Sequence, residues 1–335
     1  MQKKLVVLSS PFLRNNAVST SGVMLDVIIA MIPTVLAAGW FFGKSALIHI
    51  FSAVISAVLA EWLYARIAKK ESTISDLSAV VTGMLVAFNI PSGAPWWISV
   101  MGSALAIILV KEIFGGLGQN FMNPALTART ILMLSWAAMM ASTAPNAGQL
   151  FAGVAPEAVD VVASATPLAK GAPVFSLRDI FIGNIPGMLG ETSKLALLLG
   201  GVYLLLRRVI DWRVPVFFIG TVLGLFWLQT GVFYSVESGS QNALYQVLTG
   251  GLILGAFFMA TDYVTCPISK RGKVVMGIGC GLLLFIIRVY NQSYPEGCSF
   301  AILFMNVLTP LIDKWTAPKP FGSVKKASAK QEAKA

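Results

Sequence analysis

Thr166 sits in the stretch Asp160-Val161-Val162-Ala163-Ser164-Ala165-Thr166-Pro167-Leu168, within the one long polar loop of a very apolar chain. A reachable hydroxyl there is either a covalent attachment point or an ordinary loop residue, and its type alone allows both. Asn120 and Asn123, in the run from Gly115 to Ala125 (GGLGQNFMNPA), place two amides three residues apart on one side of a helix start. The glycines ahead of them permit close backbone approach, so the amides could grip a ligand. Equally, Asn123 caps the helix that Pro124 begins. Arg129 follows one to two turns inside an apolar span. A fixed cation there stabilises an anionic or electron-rich group, or pairs with an acid on a neighbouring helix.

The other ionisable residues in spans, Asp26, Glu61 and Asp262, fall toward helix ends. Interfacial snorkelling accounts for them as well as an ion pathway does. His49, the lone histidine, reads as an interfacial residue. Cys266, Cys280 and Cys298 are far apart and form no CxxC pair, which points away from a disulfide framework or an iron–sulfur site within the chain. The sequence offers no metal cluster, nucleotide-binding glycine loop or nucleophile–base pair.

The elements that must hold these residues are membrane helices. Of 335 residues, 56% are hydrophobic and 12% charged, and the mean hydropathy is +0.76, which excludes a soluble globular domain. Apolar spans lie at roughly 23–42, 45–67, 77–91, 96–113, 122–140, 192–210, 214–233, 244–264, 273–290 and 298–313, against the roughly 20 residues a crossing needs. The third is short and ends in Asn89-Ile90-Pro91, which suggests a broken helix lining a covered cavity. No secretory signal peptide follows the basic start at Lys3 and Lys4.

The formal charge of +10 is explained by basic loops on one side of the membrane, without nucleic acid. With the N-terminus inside, Lys3, Lys4, Arg14, Arg66, Lys69, Lys70, Lys111, Arg207, Arg208, Arg213, Lys270, Arg271, Lys273 and Lys314 fall on the cytoplasmic side. The outer side receives Lys44, Lys170, Arg178 and the helix-end residues Lys194 and Arg288. The expected architecture is therefore an all-α polytopic membrane protein of about ten transmembrane helices. Its segments are a cytoplasmic stretch 1–20, five helices in 21–140, an extracytoplasmic loop 141–191 with Thr166, five helices in 192–314, and a disordered basic cytoplasmic tail 315–335. Five spans per half require any repeat to be inverted. Thr82-Gly83 echoes Thr249-Gly250, and the run from Gly118 to Phe121 echoes the run from Gly297 to Phe300.

Taken together, Gly118–Ala125 (GQNFMNPA), Gly183–Ser193 (GNIPGMLGETS), Tyr294–Phe300 (YPEGCSF) and the stretch at Thr166 identify the chain by resemblance. It resembles the NqrB/RnfD family. RnfD is a membrane subunit of the Rnf complex, and NqrB is its sister in the sodium-pumping NADH:quinone oxidoreductase (Nqr). The likeness runs from Ser10 through Asp313. The Rnf side is favoured because the roughly twenty residues before the first span leave no room for the longer extension of NqrB.

The resemblance implies FMN joined through its phosphate to Thr166 by an exported flavin transferase, which reads Asp-x-x-Ser/Thr-Gly-Ala-Thr. Asp160, Ala165 and Thr166 match that motif; Ala163 stands at its hydroxyl position and Ser164 at its glycine. It also implies a noncovalent riboflavin held by Asn120 and Asn123 toward the cytoplasmic side. Arg129 is added to the cofactor-binding set on position alone. The implied function is electron relay between the two flavins within an ion-pumping ferredoxin:NAD oxidoreductase. The complex would lie in the bacterial cytoplasmic membrane, move Na⁺ or H⁺, and hold its other subunits as partners. The chain alone would not be catalytic. Rival readings are a channel or secondary transporter of inverted-repeat fold, the NqrB component of Nqr, and a structural assembly protein.

Overall fold

The structure is a computed structural model that describes residues 19–70, 73–141, 168, 175–185, 187–234, 242–291 and 296–318. Helix α1 (Thr20–Phe42) begins at Ser19, whose hydroxyl accepts from the Gly22 amide at 3.0 Å, and ends at Gly43. That glycine turns the chain directly into α2 (Lys44–Ile67). Helix α3 (Ser78–Phe88) stops after eleven residues because Pro91 cannot continue it and biases Ile90 away from helix. Helix α4 (Trp96–Leu105) runs on into a π-helical turn, Ala106–Glu112. Helices α5 (Pro124–Ser135) and α6 (Ala137–Met140) close the first half.

A short helix, α7 (Leu177–Ile182), precedes the second half. There α8 (Lys194–Leu206) and α9 (Arg213–Thr230) lead to α10 (Ala243–Leu248), then to α11 (Leu252–Leu254), which passes into a π-helical turn, Gly255–Met259. Helices α12 (Lys270–Tyr290) and α13 (Cys298–Thr316) complete the chain. Among the described residues there is no strand beyond one isolated bridge, Pro91 to Met188.

Four helices, α1, α2, α9 and α12, are each long and apolar enough to cross a membrane, and α3 and α8 are shorter apolar helices. The packing suits lipid. Large side chains such as Leu36, Trp40, Phe51 and Leu228 face outward, while Ala38, Ala46, Ala53 and Ala57 are buried between helices. Small residues at contacts let backbones approach where lipid supplies no hydrophobic drive. Gly200 shows how close: a Cβ there would lie 2.0 Å from the Ala30 carbonyl oxygen, so only glycine lets α8 lie on α1. Helix α2 packs on α3 and α4, α9 on α12, α12 on α13, and α5 on α13.

The chain is thus an all-α, multi-pass membrane protein, as expected, and the break of the third span falls at Asn89. The eighth span departs from expectation. Instead of one helix over 244–264, the chain opens at Thr249–Gly251, where Gly250 takes φ +67°. The two Thr-Gly pairs do different work. Gly83 lies inside α3 and lets the Val54 backbone approach, whereas Gly250 is the opening itself. The expected terminal segments and much of the 141–191 loop lie outside the described residues.

Candidate functional site

Asn123 and Asn120 meet at a cleft of about 90 Å³ between the halves. Its walls come from Val27 of α1, Thr82 and Leu85 of α3, Leu204 of α8, and Phe257 and Phe258 of the second π-helical turn. Asn123 caps α5: its Oδ1 accepts from the amides of Ala125 at 3.0 Å and Leu126 at 3.2 Å. Its Nδ2 donates to the Met259 carbonyl at 3.3 Å, which joins the start of α5 to the second half. Asn120 is used differently. Its Nδ2 donates to the Met122 carbonyl at 3.0 Å, and its Oδ1 makes no hydrogen bond among the described residues. The cleft is lined mainly by apolar side chains, with Lys111 and Asp262 among the rest, and the Asn120 amide oxygen is placed to accept from a ring bearing N–H groups at its edge, as a flavin does. Asn120 would hold it, and Asn123 would fix the helix beside it.

The same cleft is edged by a buried ionic cluster. Lys111 lies in the first π-helical turn, 2% exposed, and donates to Glu61 at 2.9 Å and to the Ser78 hydroxyl at 2.7 Å. Glu61 also accepts from Thr73, and Glu112 stands 3.9 Å from Lys111. Burying an ammonium is tolerable only with such partners.

A second cluster lies farther along the bundle. Lys194 starts α8 and Leu204, at the cleft, comes ten residues later, so roughly 15 Å of helix separates the two sites. Arg129 donates to Asn89 Oδ1 at 2.9 Å, to Glu191 at 3.0 Å and to Glu296. Lys194 is wholly buried and donates to the Glu191 carbonyl and to the Gly250 carbonyl at 2.9 Å. Arg288 donates to the Gln246 carbonyl and, at 3.2 Å, to the Thr249 carbonyl. The carbonyls freed where α10 ends therefore go to cations, which the negative end of a helix dipole favours. The second cluster reaches back toward the cleft: Asn89, which receives Arg129, also approaches the sulfur of Met259 at 3.9 Å, the residue whose carbonyl accepts from Asn123.

Of the residues expected to form the site, Asn120 and Asn123 are brought together. Arg129 is not with them: it makes the interhelical ion pairs that were the other reading of a cation inside a span. Thr166, Asp160 and Ala165 lie outside the described residues. Sequence reasoning missed Glu191 and Glu296 as the partners of Arg129, although each stands in a polar motif just ahead of an apolar span. Lys111, counted among cytoplasmic loop charges, is buried. Glu61 is a buried partner rather than a snorkelling acid. His49 is also buried, with Nδ1 2.6 Å from the Ser99 hydroxyl. Asp26 pairs with Arg207 at 3.1 Å and accepts from the Tyr203 hydroxyl.

Between α8 and α9, Asp211 pairs with Arg213 at 3.0 Å and Lys273 at 3.3 Å beside a cleft of about 710 Å³. Burial pushes its carboxyl up, but the Arg213 amide and the Lys273 ammonium outweigh that and hold it below the usual range.

The family model described as the NQR2, RnfD, RnfE family matches residues 6–322. The chain is 45% identical over 338 residues to the D component of the Na⁺-translocating ferredoxin:NAD⁺ oxidoreductase complex of Acetobacterium woodii, covering 99% of this chain and 98% of the relative. It is 38% identical to the D component of the proton-translocating ferredoxin:NAD⁺ oxidoreductase complex of Clostridium ljungdahlii, covering 94% and 95%. A third relative, the D component of the ion-translocating oxidoreductase complex of Yersinia enterocolitica, is 34% identical, covering 94% and 98%.

Proposed function

The chain belongs to the NQR2, RnfD, RnfE family, and on that premise we propose that it is the flavin-carrying membrane subunit of an ion-translocating ferredoxin:NAD⁺ oxidoreductase complex. The observation that carries this reading is likeness over nearly the whole length to relatives bearing that name. The other subunits of the complex are its partners, and it is not catalytic alone. The relatives are named for Na⁺ in one case and protons in the other, and the transported ion is one of these two.

FMN would be joined through its phosphate to Thr166, with Asp160 and Ala165 as further motif positions for the flavin transferase. Asn120 would hold a riboflavin in the cleft. When bound, these flavins supply the redox chemistry, and the protein places and tunes them. The charge asymmetry of the loops supports an outer position for Thr166, with both termini on the cytoplasmic side of the cytoplasmic membrane. Two inverted five-helix repeats belong to the same reading. Their support is that like helices meet, the first of each half (α1 and α8) and those standing at the fifth apolar segment of each (α5 and α13).

Within the bundle the chain's own residues have distinct tasks. Asn123 fixes the start of α5 against Met259, and Arg129 ties that helix to Glu191 and Glu296. Both keep the cleft wall in place between the halves. The test is flavin fluorescence on a denaturing gel after co-expression with the flavin transferase. The unaltered band should fluoresce and Thr166→Ala should be dark. A dark unaltered band removes covalent FMN, and with it the main distinction from a plain channel or transporter.

A further inference from the structure

The cleft of about 710 Å³ beside Asp211 is lined by three cations, Arg208, Arg213 and Lys273, against that one carboxylate. Asp211 does not use them up. It accepts from Arg213 Nη1 at 3.0 Å and from Lys273 Nζ at 3.3 Å, which leaves Arg213 Nη2 and the other ammonium protons able to donate elsewhere. Asp313, outside the lining, accepts from the Ile268 amide at 3.0 Å.

Arg208 lines the same cleft, and its side chain makes no hydrogen bond or ion pair among the described residues. It also stands where the backbone favours glycine. Helix α8 closes with the Val209 amide on the Leu204 carbonyl at 2.9 Å and the Arg208 amide on the Leu205 carbonyl at 3.0 Å, and Arg208 takes φ +57°. Glycine is the usual residue of such a turn, because a side chain there is strained. An unpaired arginine held in that strained place, beside a basic cleft, points to an anion as its partner.

The surroundings say which anion. The cleft lies where α9 and α12 begin, and both are long and apolar enough to cross a membrane, so it stands at the level of lipid headgroups. Trp212 and Tyr263 line it half-exposed, as aromatic side chains do at a membrane surface. Leu205, Pro267 and the exposed Ile268 give it an apolar flank, for which a small soluble anion has no use. We propose that this cleft binds the headgroup of an anionic glycerophospholipid. Its phosphodiester lies among Arg208, Arg213 and Lys273, and its glycerol end rests against Leu205 and Ile268. The start of α9 adds the positive end of a helix dipole.

The test places the full complex, with its partner subunits, in phosphatidylcholine vesicles holding a trace of phosphatidylglycerol that carries a photoactivatable group next to the glycerol. After irradiation the label is mapped onto peptides of this chain. It should fall on 205–214 and 261–273, and unlabelled phosphatidylglycerol should displace it. Arg208→Gly should cut that label several-fold without lowering the melting temperature of the complex in detergent stripped of lipid, since glycine suits the turn. Arg208→Lys, which keeps the charge, should retain most of it. Undiminished label in Arg208→Gly overturns the proposal, and so does a lowered melting temperature, which makes the arginine a structural part of the turn. Displacement by inorganic phosphate as readily as by phosphatidylglycerol gives the cleft to free phosphate and overturns the lipid. Label absent from both peptides also overturns it, and leaves the cleft to an acidic surface of a partner subunit.

Discussion

Lys111 and Arg129 are both buried cations in an apolar bundle, but their partners come from different distances along the chain. Lys111 finds Glu61 fifty residues earlier and Glu112 next door, so its cluster closes within α2, α3 and α4. Arg129 finds Glu191 62 residues later and Glu296 167 residues later, so its cluster joins the two halves. The first cluster keeps one group of helices together, and the second holds the halves in register.

Arg129→Met should have the largest effect, because it strands two buried carboxylates. Breaking a buried pair costs about 3–5 kcal/mol, so little folded protein should accumulate in membranes. Adding Glu191→Gln should not restore it, since Glu296 remains unpaired. Folded protein at the unaltered level in Arg129→Met would break the contrast outright.

Lys111→Met should destabilise by about 3 kcal/mol, read as a lowered melting temperature. Here the double variant Lys111→Met with Glu61→Gln should regain most of the loss, because Glu61 is the carboxylate hydrogen-bonded to Lys111, while Glu112 stands 3.9 Å away. Failure of that rescue, with Arg129 unchanged in behaviour, would mean that both clusters reach across the molecule.

Asp211→Asn should have the smallest effect. The folded carboxyl lies below its usual range, so the charge stabilises above the unfolded value near pH 4 and the benefit is lost as pH falls through the folded value. The substitution should cost under about 1 kcal/mol at neutral pH and nothing near pH 2, as thermal melts across that range will read. A cost that persists at pH 2 would mean that the side chain acts by shape rather than charge.

Hydropathy made the helices legible, because each spanning segment must carry its own apolar run. The half-length α3 was legible too, since Pro91 announces where it stops. The opening at Gly250 was not. No proline marks it, and the residues around it are as apolar as those of an unbroken span. What keeps it open is Lys194 and Arg288, cations from other helices that donate to the freed carbonyls. At the cleft, Asn123 was readable as a cap from Pro124 beside it, while the spare amide oxygen of Asn120 emerges only once the backbone around Met122 is folded. Arg129 was visible as a cation inside a span. Its two acids were hidden, because polar segments ahead of helices look alike whether they face water or fold inward.

The bridge from Pro91 to Met188 orders events during synthesis. The Leu189 amide bonds to the Ile90 carbonyl at 3.1 Å and the Gly190 amide to the Phe88 carbonyl at 3.0 Å, so the tip of α3 is finished only by residues made about a hundred positions later. Until then Asn89 and Arg129 sit in the nascent first half without Glu191, and Glu296 arrives near the end of translation. The membrane insertion machinery must therefore shelter an unpaired guanidinium while the second half emerges. Folding of the first five helices becomes final only when the last helix is in place.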